Sequence, residues 1–255
     1  MLKPVLVEIG GFTIYSYGLM LSLALLVASL GLLRQATREG FNPDHVLEAV
    51  IVASVFGLIG ARLLYVFLNW ELYQGQWIKI LFTRSGGLSF YGAFLGGLIA
   101  LFVWCRFRKL SFLKLSDLMA PYLALGYALG RVGCFLNGCC YGVVSSVPWA
   151  LPAFEGDRFL RHPVQLYACL GGLVIFIILY RIRPKRPFEG FQLIMLMLLY
   201  GCLRFITEFF REEPQVWLGL TLAQIFSLGL ALVSLLLLLI VFMVKDYNKN
   251  RVNSR

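Results

Sequence analysis

Four charged residues lie within long apolar stretches of this chain. They are Arg62, Arg131, Arg204 and Glu208. Charged groups at membrane depth cost about 2.5–3.5 kcal/mol on insertion scales, and they usually mark function. Arg204 and Glu208 are four residues apart, so they share one face of a helix and can pair. Three cations against one carboxylate leave an excess of positive charge. The pattern predicts a site for an anionic lipid headgroup, because guanidinium matches phosphate oxygens bidentately.

Further polar residues lie in the segments next to these charges. The stretch "GYALGRVGCFLNGCCYG" (126–142) contains Asn137 and three cysteines after Arg131. The other candidates are Tyr17, Tyr91, His162 and Gln165. Each has a structural alternative: arginines that snorkel to the interface, tyrosines in an aromatic belt, and a histidine that only begins a helix. The cysteines allow three interpretations, namely a disulfide, a zinc site completed by His162, or small residues that pack a tight loop.

The elements that position these residues are predicted to be membrane helices. Of the 255 residues, 60% are hydrophobic and 14% are charged, whereas a soluble domain has about 25% charged residues. Apolar runs of bilayer length favour helices, because lipid cannot satisfy open backbone groups. The composition predicts an all-α polytopic membrane protein with one membrane-embedded domain over residues 1–255. The seven segments are about 14–33, 46–69, 88–104, 115–134, 164–182, 190–210 and 222–244.

The basic residues predict the orientation of these segments. Fourteen lysines and arginines fall on one side and six on the other. The positive-inside rule therefore places the N-terminus outside and the C-terminus in the cytoplasm. In this orientation Arg62, Arg131, Arg204 and Glu208 all lie in the outer leaflet. The net charge of +10 comes from the loops, which fits membrane topology rather than nucleic-acid binding.

Seven blocks of the sequence, in order, resemble the phosphatidylglycerol–prolipoprotein diacylglyceryl transferases of bacterial inner membranes. They are "YSYGLML", "GARLLYV", "GGLSFYGAFLGG", "GRVGCFLNG", "RHPVQLY", "YGCLRFITEFFRE" and "LTLAQIFSL". The resemblance implies transfer of a diacylglyceryl group from phosphatidylglycerol to the cysteine thiol of a prolipoprotein lipobox, with release of glycerol 1-phosphate. It also implies a multi-pass protein whose partners are these two substrates and membrane lipids, with no metal or soluble cofactor.

Carried over by motif, the resemblance assigns a role to each polar residue. Arg131 would bind the lipid phosphate, and Arg204 would assist while Glu208 orients it or handles a proton. Tyr17 would contact the substrate, and Asn137 would hydrogen-bond the glycerol. Tyr91 is placed with the catalytic residues. The remaining predicted substrate-binding residues are Gly142, Arg62, His162 and Gln165, of which Arg62 has a structural alternative.

The chain departs from the family pattern at four positions. Tyr91, Cys134, Cys139 and Ala168 stand where the family often has His, Asn, Glu and Glu. A tyrosine of ordinary pKa, about 10, is a poor base at neutral pH. Tyr91 would then orient the substrate, and Glu208 or no dedicated residue would receive the thiol proton. Two alternatives remain: a divergent member with another acceptor, and a transporter or translocator of an anionic lipid or other anion.

Overall fold

The computed structural model describes residues 4–10, 12–75, 77–81 and 86–253. Within these ranges, seven helices are long and apolar enough to cross a membrane, which confirms the predicted all-α polytopic architecture. The predicted direction of the termini and the single membrane domain stay predictions. The helices are α1 Ser16–Arg38, α2 Pro43–Leu68, α3 Phe90–Arg108, α4 Phe112–Leu136, α5 Val164–Ile182, α6 Phe191–Glu208 and α7 Leu222–Asn253.

The helix bounds differ from the apolar runs chiefly at the basic ends. Helix α1 continues to Arg38 and α3 to Arg108, because lysine and arginine favour a helix as much as leucine does. Two antiparallel hairpins were not predicted: β1 Val5–Ile9 pairs with β2 Phe12–Tyr15, and β3 Gln215–Trp217 pairs with β4 Leu220–Thr221. Short 3₁₀ helices span Trp70–Tyr73, Trp77–Ile80 and Arg183–Lys185.

The chain divides into two compact units. The first comprises the residues up to Gly31 together with those from Ser116 onward, and the second is Leu32–Leu115. In the first unit, α4 and α5 form a core of small and aliphatic side chains, in which Ala120 and Leu179 are fully buried.

A buried carboxylate secures the start of α6 within the first unit. The two oxygens of Asp117 accept from the backbone N–H groups of Gly190, at 2.8 Å, and Leu193, at 3.1 Å. Gly190 immediately precedes α6 and Leu193 is in its first turn, where backbone N–H groups have no partner inside the helix. A negative charge at this position also complements the helix dipole. Asp117 on α4 thereby replaces the N-terminal capping side chain that Gly190 cannot supply.

The second unit depends on close approach between α2 and α3. A Cβ atom on Gly96 would lie 2.5 Å from the carbonyl oxygen of Phe56, and one on Gly92 would meet the Gly60 oxygen even more closely. Glycines four residues apart let two helix backbones approach, which is a common basis of helix packing in membranes. The glycines of "YGAFLGG" therefore serve the packing of α3 on α2.

This packing predicts a large effect of a bulky residue at the α2–α3 contact. Gly96→Leu should lower the free energy of unfolding by at least the roughly 1–3 kcal/mol typical of overpacking, because backbone atoms must move apart. The matched control is Gly229→Leu on α7, where an added Cβ has no neighbour within 4 Å. Thermal unfolding in detergent measures both variants. Equal melting temperatures for Gly96→Leu and Gly229→Leu would contradict the proposed contact.

Candidate active site

Arg131 lies on the last turns of α4, stacked on an aromatic ring. Its guanidinium carbon is 4.8 Å from the centroid of Tyr127, one turn earlier on the same helix. Tyr127 in turn packs edge-on against Tyr200 of α6, with ring centroids 5.3 Å apart. Tyr200 precedes Arg204 by one turn, so Tyr127 and Arg131 on α4 face the strip of α6 that contains Tyr200 and Arg204.

Arg131 differs from its neighbouring arginines in its charge partners. Among the described residues no carboxylate pairs with it, whereas Arg204 and Arg211 are both ion-paired. The hydroxyl of Tyr127 is buried and has no hydrogen-bond partner within the described part of the chain. A half-buried cation and a buried hydroxyl at membrane depth suit an anionic ligand.

Glu208 is the carboxylate that neutralises the neighbouring arginines. It is 2% exposed, and its Oε2 lies 2.9 Å from Nη1 of Arg204 and 3.4 Å from Nη1 of Arg211. The hydroxyl of Thr221 donates to its Oε1 at 3.2 Å. This ion pair between Arg204 and Glu208 confirms the pairing that their four-residue spacing predicted. Three donors surround this buried carboxylate, which thereby positions both arginines.

Thr221 links this carboxylate to the start of α7. The side chain of Gln224 accepts from the backbone N–H of Thr221 at 2.9 Å, and the Thr221 hydroxyl accepts from the Gln224 N–H at 3.2 Å. This reciprocal arrangement is a capping box, and the pattern T-x-x-Q in "LTLAQ" encodes it. The block that resembled the family thus serves to begin α7 next to Glu208.

Gly142 joins the loop after α4 to the segment that follows α6. Its N–H donates to the His162 carbonyl at 3.2 Å, and it forms a bridge with Arg211. A Cβ atom here would come within 2.6 Å of two backbone oxygens, those of Phe210 and His162. Gly142 therefore lies inside the loop framework, where no side chain fits.

An ion-pair network orders the loop between α4 and α5. Arg161 pairs with Asp157 at 3.0 Å and with Glu212 at 2.5 Å, and it lies over the ring of Tyr141 at 4.8 Å. The backbone N–H groups of Phe159 and Ala153 donate to Asp157. These two hydrogen bonds, with the charge of Arg161, hold the pKa of Asp157 below its ordinary value against the opposing effect of burial.

His162 and Gln165 occupy the junction of this loop with α5. Nδ1 of His162 is 3.0 Å from the hydroxyl of Tyr167, which also accepts from the indole of Trp149 at 2.6 Å. Gln165 is 3% exposed, and its amide donates to the Cys139 carbonyl at 2.7 Å. Both side chains are engaged in the loop framework, which connects them to the stretch that follows Arg131.

The three cysteines after Arg131 lie together. The Sγ atoms of Cys134, Cys139 and Cys140 are all within 4.8 Å of one another, and His162 does not belong to this group. Tyr17 on α1 is an electrostatic neighbour of these cysteines and of Arg131. Hydrogen bonds from Cys134 and Cys139, aided by the charges of Arg211 and Arg131, lower the pKa of Cys140.

Asn137 lies in the same turn, where its side chain hydrogen-bonds to the thiol of Cys139. Its backbone N–H donates to the Gly133 carbonyl at 3.0 Å, which closes the last turn of α4. The turn thus places Asn137 beside the cysteine cluster and a few residues after Arg131.

Arg62 and Tyr91 belong to the second unit. The guanidinium of Arg62 donates to the carbonyls of Lys79, at 2.6 Å, Ile80, at 2.7 Å, and Gly87, at 2.9 Å. Arg62 is 8% exposed, so it fixes the connection between α2 and α3, in agreement with its structural alternative. Tyr91 is 55% exposed on the first turn of α3, with its ring 6.0 Å from that of Phe90.

Several residues of the site that were not predicted have recognisable spacings in the sequence. Tyr127 precedes Arg131 by four residues and Arg211 follows Glu208 by three, so both spacings indicate a shared helix face. Asp157 and Arg161 are also four apart, although they lie in a loop. Tyr200 has no local signal, because its contact with Tyr127 depends on the packing of α6 against α4.

The seven membrane-length helices and these polar groups define an integral membrane protein with a cationic site. The sequence model of the family described as prolipoprotein diacylglyceryl transferase matches residues 4–240. This chain belongs to that family, as the seven sequence blocks indicated.

Individual relatives cover most of the chain. It is 38% identical over 233 residues to the phosphatidylglycerol–prolipoprotein diacylglyceryl transferase of Geobacter sulfurreducens, covering 89% of this chain and 88% of the relative. The enzyme of the same name from Clostridium tetani is 33% identical over 218 residues, with 84% and 87% covered. A second such transferase of Clostridium perfringens is 31% identical over 259 residues, with 100% and 98% covered.

The position of Glu208 predicts a loss of stability when its charge is removed. Glu208→Gln leaves Arg204 and Arg211 without their shared counter-ion, and breaking a buried pair costs about 3–5 kcal/mol. We expect a clear fall in the melting temperature in detergent. Glu155→Gln, which changes an exposed loop carboxylate, is the control. If both variants have the melting temperature of the wild type, the assigned role of Glu208 in stability is wrong.

Because the pKa of Asp157 is lowered, we expect its contribution to the stability of the fold to fall at acidic pH. A group with a lowered folded-state pKa stabilises the fold above its unfolded pKa of about 3.9 and loses this effect as the pH falls through the folded value. The melting-temperature difference between wild type and Asp157→Asn should therefore be constant near neutral pH. It should shrink below about pH 4. A constant difference down to about pH 3 would rule out the proposed linkage.

Proposed function

We propose that this protein transfers the diacylglyceryl group of phosphatidylglycerol to the lipobox cysteine of prolipoproteins. The reaction is placed at the outer leaflet of the bacterial inner membrane and releases glycerol 1-phosphate. The names of the relatives from Geobacter sulfurreducens and Clostridium tetani support both substrates. The observation that carries the proposal within the structure is Arg131, a half-buried cation for which the described residues supply no carboxylate.

Arg131 binds the phosphate of the lipid donor in this proposal. Its guanidinium carbon lies over the ring of Tyr127, and its N–H groups can bind two phosphate oxygens. The buried hydroxyl of Tyr127 supplies a further donor next to it. Stabilising the leaving phosphate in this way lowers the barrier for substitution at the glycerol carbon.

The chemical step replaces a carbon–oxygen bond with a carbon–sulfur bond. The lipobox thiol loses its proton, its sulfur bonds to the glycerol carbon, and the bond from that carbon to the phosphate oxygen breaks. Glycerol 1-phosphate and one proton are the accompanying products. The thiolate is the attacking form, and the positive charge of Arg131 favours an anionic nucleophile and an anionic leaving group in the same place.

Arg204 and Glu208 act together as positioning groups. Their ion pair at 2.9 Å fixes a second guanidinium on the strip of α6 that faces Arg131. Two arginines and the Thr221 hydroxyl occupy the oxygens of Glu208. We therefore assign to it the orientation of Arg204. Tyr17 and Asn137 lie beside Arg131 and its following turn, where they line the path of the lipid headgroup or the peptide.

The test is release of glycerol phosphate from phosphatidylglycerol vesicles that contain the purified protein and a synthetic lipobox peptide. Arg131→Ala should lower turnover by about 100-fold or more, as for other lost donors at a developing charge. Arg131→Lys should recover only part of the rate, because an ammonium keeps the charge and loses the bidentate geometry.

Arg158→Ala, at an exposed loop position, is the matched control and should leave turnover unchanged. Near-normal release by Arg131→Ala, with the variant folded, would refute the assigned role of Arg131. Absence of release by the wild type with lipobox peptides would refute the acceptor and favour a divergent member of the family.

A further inference from the structure

The turn after α4 brings three thiols to one point. Cys134 is in the last turn of α4, and Cys139 and Cys140 follow Gly138, whose φ of 68° reverses the chain. The three Sγ atoms lie within 4.8 Å of one another. The reaction proposed above involves the thiol of the acceptor peptide and assigns no step to these cysteines.

The spacing of the thiols is close to that of a metal site. Zn²⁺ binds thiolates at about 2.3 Å, and in tetrahedral geometry the sulfur atoms are then about 3.8 Å apart. The three sulfur atoms lie within 4.8 Å of one another, so movements of about 1 Å or less would bring them to the separation of a zinc site. Three protein ligands are sufficient, because zinc sites commonly hold water or another ligand in the fourth position.

The backbone of the turn holds the third cysteine in a strained conformation. Cys140 has a φ of 59°, in the left-handed region that residues with a Cβ atom rarely adopt. The N–H of Cys139 donates to the Cys134 carbonyl at 3.2 Å, and Gln165 holds the Cys139 carbonyl from the other side. Strain of this kind persists where the surroundings impose it, and it clusters at ligand sites.

The charges nearby suit a three-thiolate metal site. Three thiolates and one divalent ion carry a net charge of −1, and one monovalent ion would leave −2. Arg131 and Arg211 are the positive groups that act on Cys140. Arg211 also pairs with Glu208 and Glu213, whereas no described carboxylate pairs with Arg131. The site therefore has cations within reach that offset its negative charge.

We propose that Cys134, Cys139 and Cys140 bind one thiophilic metal ion, Zn²⁺ or Cu⁺, through three thiolates. Soft thiolate ligands select these ions over magnesium or calcium. Each thiol loses a proton on binding, so metal uptake releases up to three protons. The ion would fix the turn that follows Arg131 and would act on the protein's structure independently of the lipid reaction.

The metal content of the purified full-length protein tests this site directly. The protein is prepared in detergent with a reductant, incubated with Zn²⁺ or Cu⁺, passed over a desalting column and measured by mass spectrometry for bound metal. We expect about one equivalent of one of the two ions, and the two incubations tell which. Co²⁺ in place of Zn²⁺ should give thiolate-to-cobalt charge-transfer absorption.

Three variants locate the metal: Cys134→Ser, Cys139→Ser and Cys140→Ser should each lose most of it. Cys202→Ser, which removes an exposed cysteine on α6, should retain it. Absence of bound metal and of the cobalt spectrum in the wild type overturns the proposal. Metal binding that is retained in all three variants also overturns it, as does a disulfide among these cysteines in the isolated protein. The cobalt spectrum of the wild type decides the matter even if a variant fails to fold, and none of these measurements requires transferase activity.

Discussion

The buried carboxylate of Glu208 ties together the parts of the chain that surround the site. Its oxygens pair with Arg204 of α6 and Arg211 of the segment after α6, and they accept a hydrogen bond from Thr221 at the start of α7. Arg211 also bridges to Gly142, so the loop after α4 is attached to the same point. An ion buried at membrane depth is stable only when its partners surround it. The position of four chain segments follows from that requirement.

This arrangement separates two kinds of arginine. Arg62, Arg161, Arg204 and Arg211 are held by carbonyl or carboxylate oxygens of the protein. Arg131 is instead supported by the face of an aromatic ring, which orients a guanidinium without neutralising its charge. Among the described residues no carboxylate pairs with Arg131, and in the proposed reaction its charge is the one that meets the phosphate of the lipid.

The sequence allowed prediction of the features that repeat along a helix. The seven apolar runs predicted the seven helices, and the spacing of Arg204 and Glu208 predicted their ion pair. The sequence did not predict contacts between distant segments, such as those of Tyr127 with Tyr200 and of Thr221 with Glu208. These contacts depend on how the helices pack. The two hairpins were missed because strands of two to five residues lack a periodic pattern. The structure brings together the three cysteines of the zinc alternative, whereas His162 lies outside that group and contacts Tyr167.

Asp117 has a consequence for how the protein is made. Its carboxylate is satisfied by the amides of Gly190 and Leu193, which follow it by 73 and 76 residues. A ribosome adds about 5–20 residues each second, so α4 is synthesised several seconds before the groups that complete it. During that interval an acidic side chain near the start of α4 lacks its final donors. Until α6 arrives, water or headgroups must solvate it, which favours holding this end of α4 at the membrane surface.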